Sequence, residues 1–136
     1  MAKSSRIVLV EDDPAVRKMT ALRLEHEGYT VAVAGDGEEA LAVIAASLPD
    51  LIILDIQLPK LNGFDVCARL HADPTTAKIP IIVFTAFDVH QRVLATRGAE
   101  LGIADWLRKP FRSADLMARI RNVLHDKSRN PGEATA

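Results

Sequence analysis

Five short apolar runs, each separated from the next by a segment of helical character, constrain this chain more than any other feature. They are residues 6–10 (RIVLV), 29–34 (YTVAVA), 51–54 (LIIL), 79–84 (IPIIVF) and 103–107 (IADWL). Each is too short for a helix and so reads as a strand, and the run at 51–54 is rich in β-branched residues. The run at 51–54 is apolar at every position, the pattern of a strand buried on both faces. Regular strand–helix alternation predicts right-handed βαβ crossovers, and so an α/β protein with an all-parallel sheet covered by helices on both faces. Five strands in a doubly wound sheet favour the flavodoxin-like order 2-1-3-4-5. That order sets strands one and three side by side, with their carboxyl ends opening on a common crevice.

The intervening segments carry helix punctuation. Asp13 is a good N-cap and Pro14 suits a first turn, while Gly28 marks the end of that helix. A small-residue helix is expected over 38–46, and another from Gly63 to the turn at Asp73, Pro74, Thr75 and Thr76. A fourth helix, interrupted by Gly98, is read over 88–101. Ser113 is expected to cap the fifth and last helix, whose apolar face is Leu116, Met117, Ile120, Val123 and Leu124. One domain over 1–125 and a polar tail over 126–136 are expected, since 136 residues suffice for a single core.

The strand ends bring chemistry to the crevice. Glu11, Asp12 and Asp13 follow the first strand, Asp55 the third, Thr85 the fourth and Lys109 the fifth. Carboxylates gathered this closely repel one another, and a hard cation with oxygen ligands is the usual remedy. Magnesium suits such a site because it needs few protein carboxylates and is commonly completed by phosphate oxygens. A lysine and a hydroxyl aimed at the same point add donors for a phosphoryl group. An aspartate can itself accept that group as an aspartyl phosphate.

The acids Glu11, Asp12 and Asp13 before Pro14 are joined by LIILDIQLPKLNG with Asp55, Pro59 and Gly63, VFTA with Thr85 and Ala86, and LRKPF with Lys109, Pro110 and Phe111. Together these motifs resemble the receiver domain of two-component response regulators over residues 6–125, in its stand-alone chemotaxis-type form. The resemblance implies that Asp55 is the phosphoacceptor. It further implies that Glu11, Asp12, Asp55 and the backbone carbonyl of Gln57 hold Mg²⁺. Thr85 would bond the phosphoryl group, Ala86 would leave room for it, and Lys109 would pair with its charge. The Lys109–Pro110 bond is expected to be cis. The implied switch draws Thr85 inward and shifts the aromatic residue of strand five, which is Trp106 where the family usually has Tyr or Phe. A partly buried anchor is the other reading of Trp106. The implied phosphodonor is a histidine kinase or phosphotransfer protein. The downstream protein target would bind the surface of the fourth helix, fifth strand and fifth helix, with the chain a monomer or a phosphorylation-linked dimer. Phe87 is read either as a shield for the site or as packing.

Several classes are disfavoured. A net charge of −1 offers no basic field for direct nucleic-acid binding, and no apolar run approaches the roughly 20 residues of a membrane span. The single cysteine, Cys67, fits a reducing, cytoplasmic setting and reads as a small apolar helix residue. His26, His71, His90 and His125 lack ligand spacing. An Asp-dependent phosphohydrolase would want an acid where Gln57 stands, so turnover of an external substrate is not expected. An unphosphorylated interaction module of the same fold would be expected to lack Asp55, Lys109 or one of the acids. A flavodoxin-like nucleotide binder would want a phosphate loop after strand one, where this chain has acids. The length after the last helix leaves no room for an output domain, so output through protein contacts is expected.

Overall fold

The structure, a computed structural model, describes residues 5–86, 97, 98 and 100–128. In order it contains β1 (Arg6–Val10), α1 (Pro14–His26), β2 (Thr30–Ala34), α2 (Gly37–Ser47), β3 (Leu51–Asp55), α3 (Gly63–Ala72), β4 (Ile81–Thr85), β5 (Ile103–Arg108) and a C-terminal helix (Ser113–Ser128). The sheet runs β2-β1-β3-β4-β5 with every pair parallel, the order expected from the alternation. All five residues of β3 and of β4 are buried, as unbroken apolar runs in the middle of a parallel sheet require.

Alternation along the strands divides the interior into two cores. Val8, Val10, Ile52, Leu54, Ile81 and Val83 point to one face and meet Ala40 and Ile44 of α2 with Val66, Cys67 and Leu70 of α3. Ile7, Leu9, Ile53, Ile82 and Phe84 point to the other and meet Leu24 of α1 with Leu116, Met117 and Ile120 of the C-terminal helix. A β-bulge interrupts the β4–β5 register, so that Ile81 pairs with Ile103 but Ile82 with Asp105. The extra residue turns Trp106 to the α2/α3 side opposite Val83, where it is half-buried and packs against that core together with Ile103.

Local chemistry explains the element ends. The Asp13 carboxylate accepts from the Ala15 and Val16 N–H groups at 2.9 and 3.2 Å, so the expected cap of α1 is made. Gly28, at φ 99°, follows the helix, and the Tyr29 N–H turns back to Leu24 O at 3.1 Å, which delays β2 to Thr30. β4 starts at Ile81 rather than at Ile79. Pro80 has no N–H to give a ladder, although its carbonyl accepts from Ile52 at 3.0 Å. Ser113 is the first residue of the C-terminal helix and not its cap. Arg112 O accepts from the Asp115 and Leu116 N–H groups at 3.0 and 3.2 Å, so the turn begins one residue earlier. That helix continues to Ser128, into the stretch read as tail. The helix expected over 88–101 falls largely outside the described residues, as do Phe87 and His90. The Lys109–Pro110 peptide is cis.

Asp13→Ala is expected to cost about 1 kcal/mol of stability through loss of the cap. Urea denaturation measures the cost, and Mg²⁺ affinity should stay unchanged, because Asp13 lies outside the described carboxylate cluster.

Candidate functional site

The parallel order delivers three strand ends to one point. Glu11 follows β1 directly, its N–H bonded to Ala34 O at 3.1 Å, and is 1% exposed. Asp55 is the last residue of β3 and 6% exposed. Lys109 follows β5, held by a backbone bond to Thr85 O at 2.8 Å. Its Nζ lies 2.5 Å from Asp55 Oδ2 and 3.0 Å from Glu11 Oε1, so one ammonium is shared by two buried carboxylates. Asp12, exposed, completes a group in which Glu11, Asp12 and Asp55 each offer an oxygen within 4.8 Å of the others. Among the described residues this is the only such group of His, Cys, Asp and Glu.

Backbone donors occupy the remaining carboxylate oxygens. The Gln57 N–H bonds Asp55 Oδ1 at 2.9 Å, and the Asp13 N–H bonds Glu11 Oε2 at 3.3 Å. Burial pushes the Glu11 carboxyl above its ordinary range, against the pull of Lys109 and the Asp13 N–H. Burial lowers Lys109, but its bonds to Asp55 and Glu11 outweigh that and leave it above the usual lysine value, so it stays charged. The Lys109 ammonium also lies 5.8 Å from the centre of the Phe84 ring, which stacks on Phe111 with centroids 4.6 Å apart. Three carboxylates against one ammonium, all with oxygen donors, form a set that fits a hard divalent cation.

The other expected residues are placed as follows. Thr85, fully buried, ends β4 one residue beyond Phe84, which pairs with Asp55. Ala86 is exposed just past it. Trp106 belongs to the α2/α3 packing and not to the carboxylate cluster. Beside Asp55, the residues Asp12, Ile56, Gln57, Leu58, Pro59, Asn62 and Phe64 line an open cavity of about 500 Å³. Cys67 is buried and its thiol is pushed up to about 12 by burial, which fits a core residue and not a nucleophile.

Sequence reasoning missed three contributors. The Gln57 N–H steadies Asp55, whereas only its carbonyl had been singled out. Lys109 bonds Glu11 as well as Asp55. Arg17 on α1 donates from Nη1 to Glu11 O at 2.9 Å and fixes the first acid's backbone. Residue type carries no signal for Arg17. The one clue is spacing, since a side chain at the close of the first turn of α1 can fold back toward the end of β1.

Comparison with known proteins supplies a family. A model of the response regulator receiver domain matches residues 7–121. The DNA-binding dual master transcriptional regulator RpaA of Synechocystis sp. is 40% identical over 129 residues, which cover 95% of this chain and 53% of that protein. A CheY-like receiver domain protein of Methanospirillum hungatei superposes with a TM-score of 0.83 at 28% identity, covering 92% of this chain and 97% of that one. The chemotaxis response regulator CheY4 of Vibrio cholerae superposes with a TM-score of 0.81 at 28% identity, covering 89% and 99%. The chain spans about half the length of the first curated relatives it matches.

Proposed function

Since the chain belongs to the response regulator receiver domain family, we propose that it is a phosphorylation-dependent signalling switch in which Asp55 accepts a phosphoryl group from a histidine kinase or phosphotransfer protein. The observation that carries this reading is the convergence of Asp55, Glu11 and Lys109 in one hydrogen-bonded cluster with Asp12 beside it.

An Asp55 carboxylate oxygen forms the new bond to phosphorus as the donor's bond to phosphorus breaks, and the leaving group departs with that electron pair. Glu11, Asp12, Asp55 and the Gln57 carbonyl are the residues that would hold Mg²⁺. When bound, Mg²⁺ neutralises charge on the phosphoryl oxygens and orients them. Lys109 holds the acceptor carboxylate in place and then pairs with the added charge. The Thr85 hydroxyl donates to a phosphoryl oxygen from the end of β4. Its inward movement biases Trp106 on β5 and, through it, the surface of β5, the C-terminal helix and segment 88–101, where a protein target reads the state. The switch is a monomer or dimerises on phosphorylation, turns over no external substrate, and works in the cytoplasm. Among the described residues no helix is long and apolar enough to cross a membrane.

RpaA is named as DNA-binding, but a net charge of −1 keeps nucleic-acid contact out of the reading of this chain. A stand-alone chemotaxis-type form is the finer proposal, and the mass of the protein isolated from its own cells decides it.

The test is intact mass during incubation with acetyl phosphate, with and without Mg²⁺, alongside the fluorescence of Trp106, the single tryptophan. A Mg²⁺-dependent gain of one phosphoryl group is expected. A folded protein that binds Mg²⁺ and never gains the mass would favour the unphosphorylated interaction module instead.

The raised Glu11 adds a pH dependence. Protonated Glu11 cannot ligate a cation, so Mg²⁺ affinity should fall as pH drops through a window above that of an ordinary glutamate. Calorimetric titration from neutral to mildly acidic pH checks this, and an affinity flat across that range would remove Glu11 from the ligand set.

A further inference from the structure

The loop between β3 and α3 carries Gln57 at its start and reaches across to α2 at its tip. Its far end is closed by the Gly63 N–H to Ile56 O bond at 2.7 Å. A Cβ on Gly63 would stand 2.5 Å from Ile56 Cα, so this closure leaves no slack. At the tip, the Leu61 N–H bonds Pro59 O at 2.8 Å, an i to i+2 bond around Lys60, whose φ is 69°. That is a γ-turn of the strained kind, which persists only where its surroundings hold it.

Those surroundings are the first turn of α2. Lys60 Nζ lies 3.5 Å from Asp36 Oδ2, the Gly37 N–H points to Pro59 O at 3.5 Å, and a Cβ on Gly37 would stand 2.3 Å from Leu61 O. Asp36 divides its carboxylate, since Oδ1 caps α2 by accepting from the Glu39 N–H at 2.8 Å while Oδ2 faces Lys60. The Glu39 N–H bond holds the Asp36 carboxyl below its usual range, and Lys60 adds to this, so the pair is charged at neutral pH.

We propose that Asp36 and Lys60 form a latch that holds the β3–α3 loop on α2 and so keeps the Gln57 backbone against Asp55, which makes both of them positioning residues for cation binding and phosphoryl acceptance. The proposal rests on the reading of Asp55 given above. Lys60 keeps a backbone conformation that glycine would adopt without strain, and its side chain reaches the carboxylate that caps α2. The Lys60 side chain is 58% exposed and that of Asp36 20%, so the pair adds little to global stability. Its effect falls on local opening of the loop, which needs far less free energy than unfolding.

The experiment combines hydrogen exchange at the Gln57 amide in the metal-free protein, the Kd for Mg²⁺, and the rate of phosphoryl gain from acetyl phosphate. The variants are Asp36→Asn, which keeps a capping oxygen, Lys60→Gln, the double variant, Lys60→Arg and Gly37→Ala. Each single loss of charge should speed Gln57 exchange and weaken Mg²⁺ binding about two- to fivefold, with Tm scarcely moved. The double variant should be no worse than either single, because both remove the same contact. Lys60→Arg should stay close to the parent protein. Gly37→Ala should loosen Gln57 more strongly, although alanine ordinarily favours a helix. Unchanged exchange and Mg²⁺ affinity in the charge-loss singles, whatever Gly37→Ala does, or strictly additive singles, would overturn the latch. A parent protein that takes no phosphoryl group overturns the Asp55 reading instead, while the exchange and Mg²⁺ measurements still judge the latch.

Discussion

Asp55→Asn is expected to reduce the gain of a phosphoryl group from acetyl phosphate to below detection by intact mass, while the circular dichroism spectrum stays that of the parent. The amide has no carboxylate to attack phosphorus. The fold should hold because Asp55 closes β3 and its backbone ladder does not depend on the side-chain charge. The amide oxygen can still accept from the Gln57 N–H. Two electrostatic effects nearly cancel. Lys109 loses its bond to Asp55 but keeps Glu11, and Glu11 is relieved of the repulsion from Asp55. The change in stability should be smaller than that of Lys109→Met, so loss of labelling reports on chemistry and not on unfolding. Continued labelling of the variant would move the acceptor elsewhere.

Lys109→Met is expected to give the largest change in stability among these variants. Methionine fills much the same space but leaves Glu11 and Asp55 facing each other without their shared cation. Removing one partner of a fully buried pair costs roughly 3–5 kcal/mol. The Lys109 side chain is 29% exposed, so about 1–3 kcal/mol is the fitting range in the metal-free protein. Mg²⁺ should restore much of that loss, because a ligand that binds the folded state alone stabilises it by mass action. The Mg²⁺-induced rise in Tm should therefore be larger in the variant than in the parent. Phosphoryl gain should be slowed but not abolished.

The pH dependence separates the two proteins further. Lys109 has a raised value in the parent, so its contribution is complete below the ordinary lysine value and is lost as alkaline pH passes the folded value. The variant lacks that alkaline loss. It should instead gain stability on acidification, as Glu11, already raised by burial, takes a proton and ends the repulsion. Denaturant midpoints across pH, with and without Mg²⁺, test both signs, and a variant no less stable than the parent without Mg²⁺ would show that the shared ammonium is dispensable to the fold.

The acids, Asp55, Thr85 and Lys109 were legible because each is a residue type with marked chemistry placed at the end of an apolar run, and parallel strands put all such ends on one edge. The Gln57 amide, the Glu11–Lys109 bond and the Arg17 anchor were not, because any residue has a backbone N–H and an arginine on α1 has many possible partners. The link between Asp36 and Lys60 is of the same kind. A charged pair separated by two elements becomes visible only once α2 and the β3–α3 loop are packed together.

Trp106 shows where the division falls. Strand existence, the Asp13 cap of α1 and the order of the sheet follow from local periodicity and punctuation, which the sequence alone determined. Strict alternation along β5 would send Ile103 and Trp106 to opposite faces, since they are three residues apart. Both pack against the α2/α3 core because the bulge opposite Ile81 and Ile82 takes up one residue. That bulge is a property of how β4 and β5 fit together, and no pattern within either strand encodes it. Hydrophobic periodicity therefore decided which segments are strands and which helices, whereas the face that Trp106 occupies, the partners of Lys109 and the hold of α2 on the β3–α3 loop were decided by contacts between segments far apart in the chain.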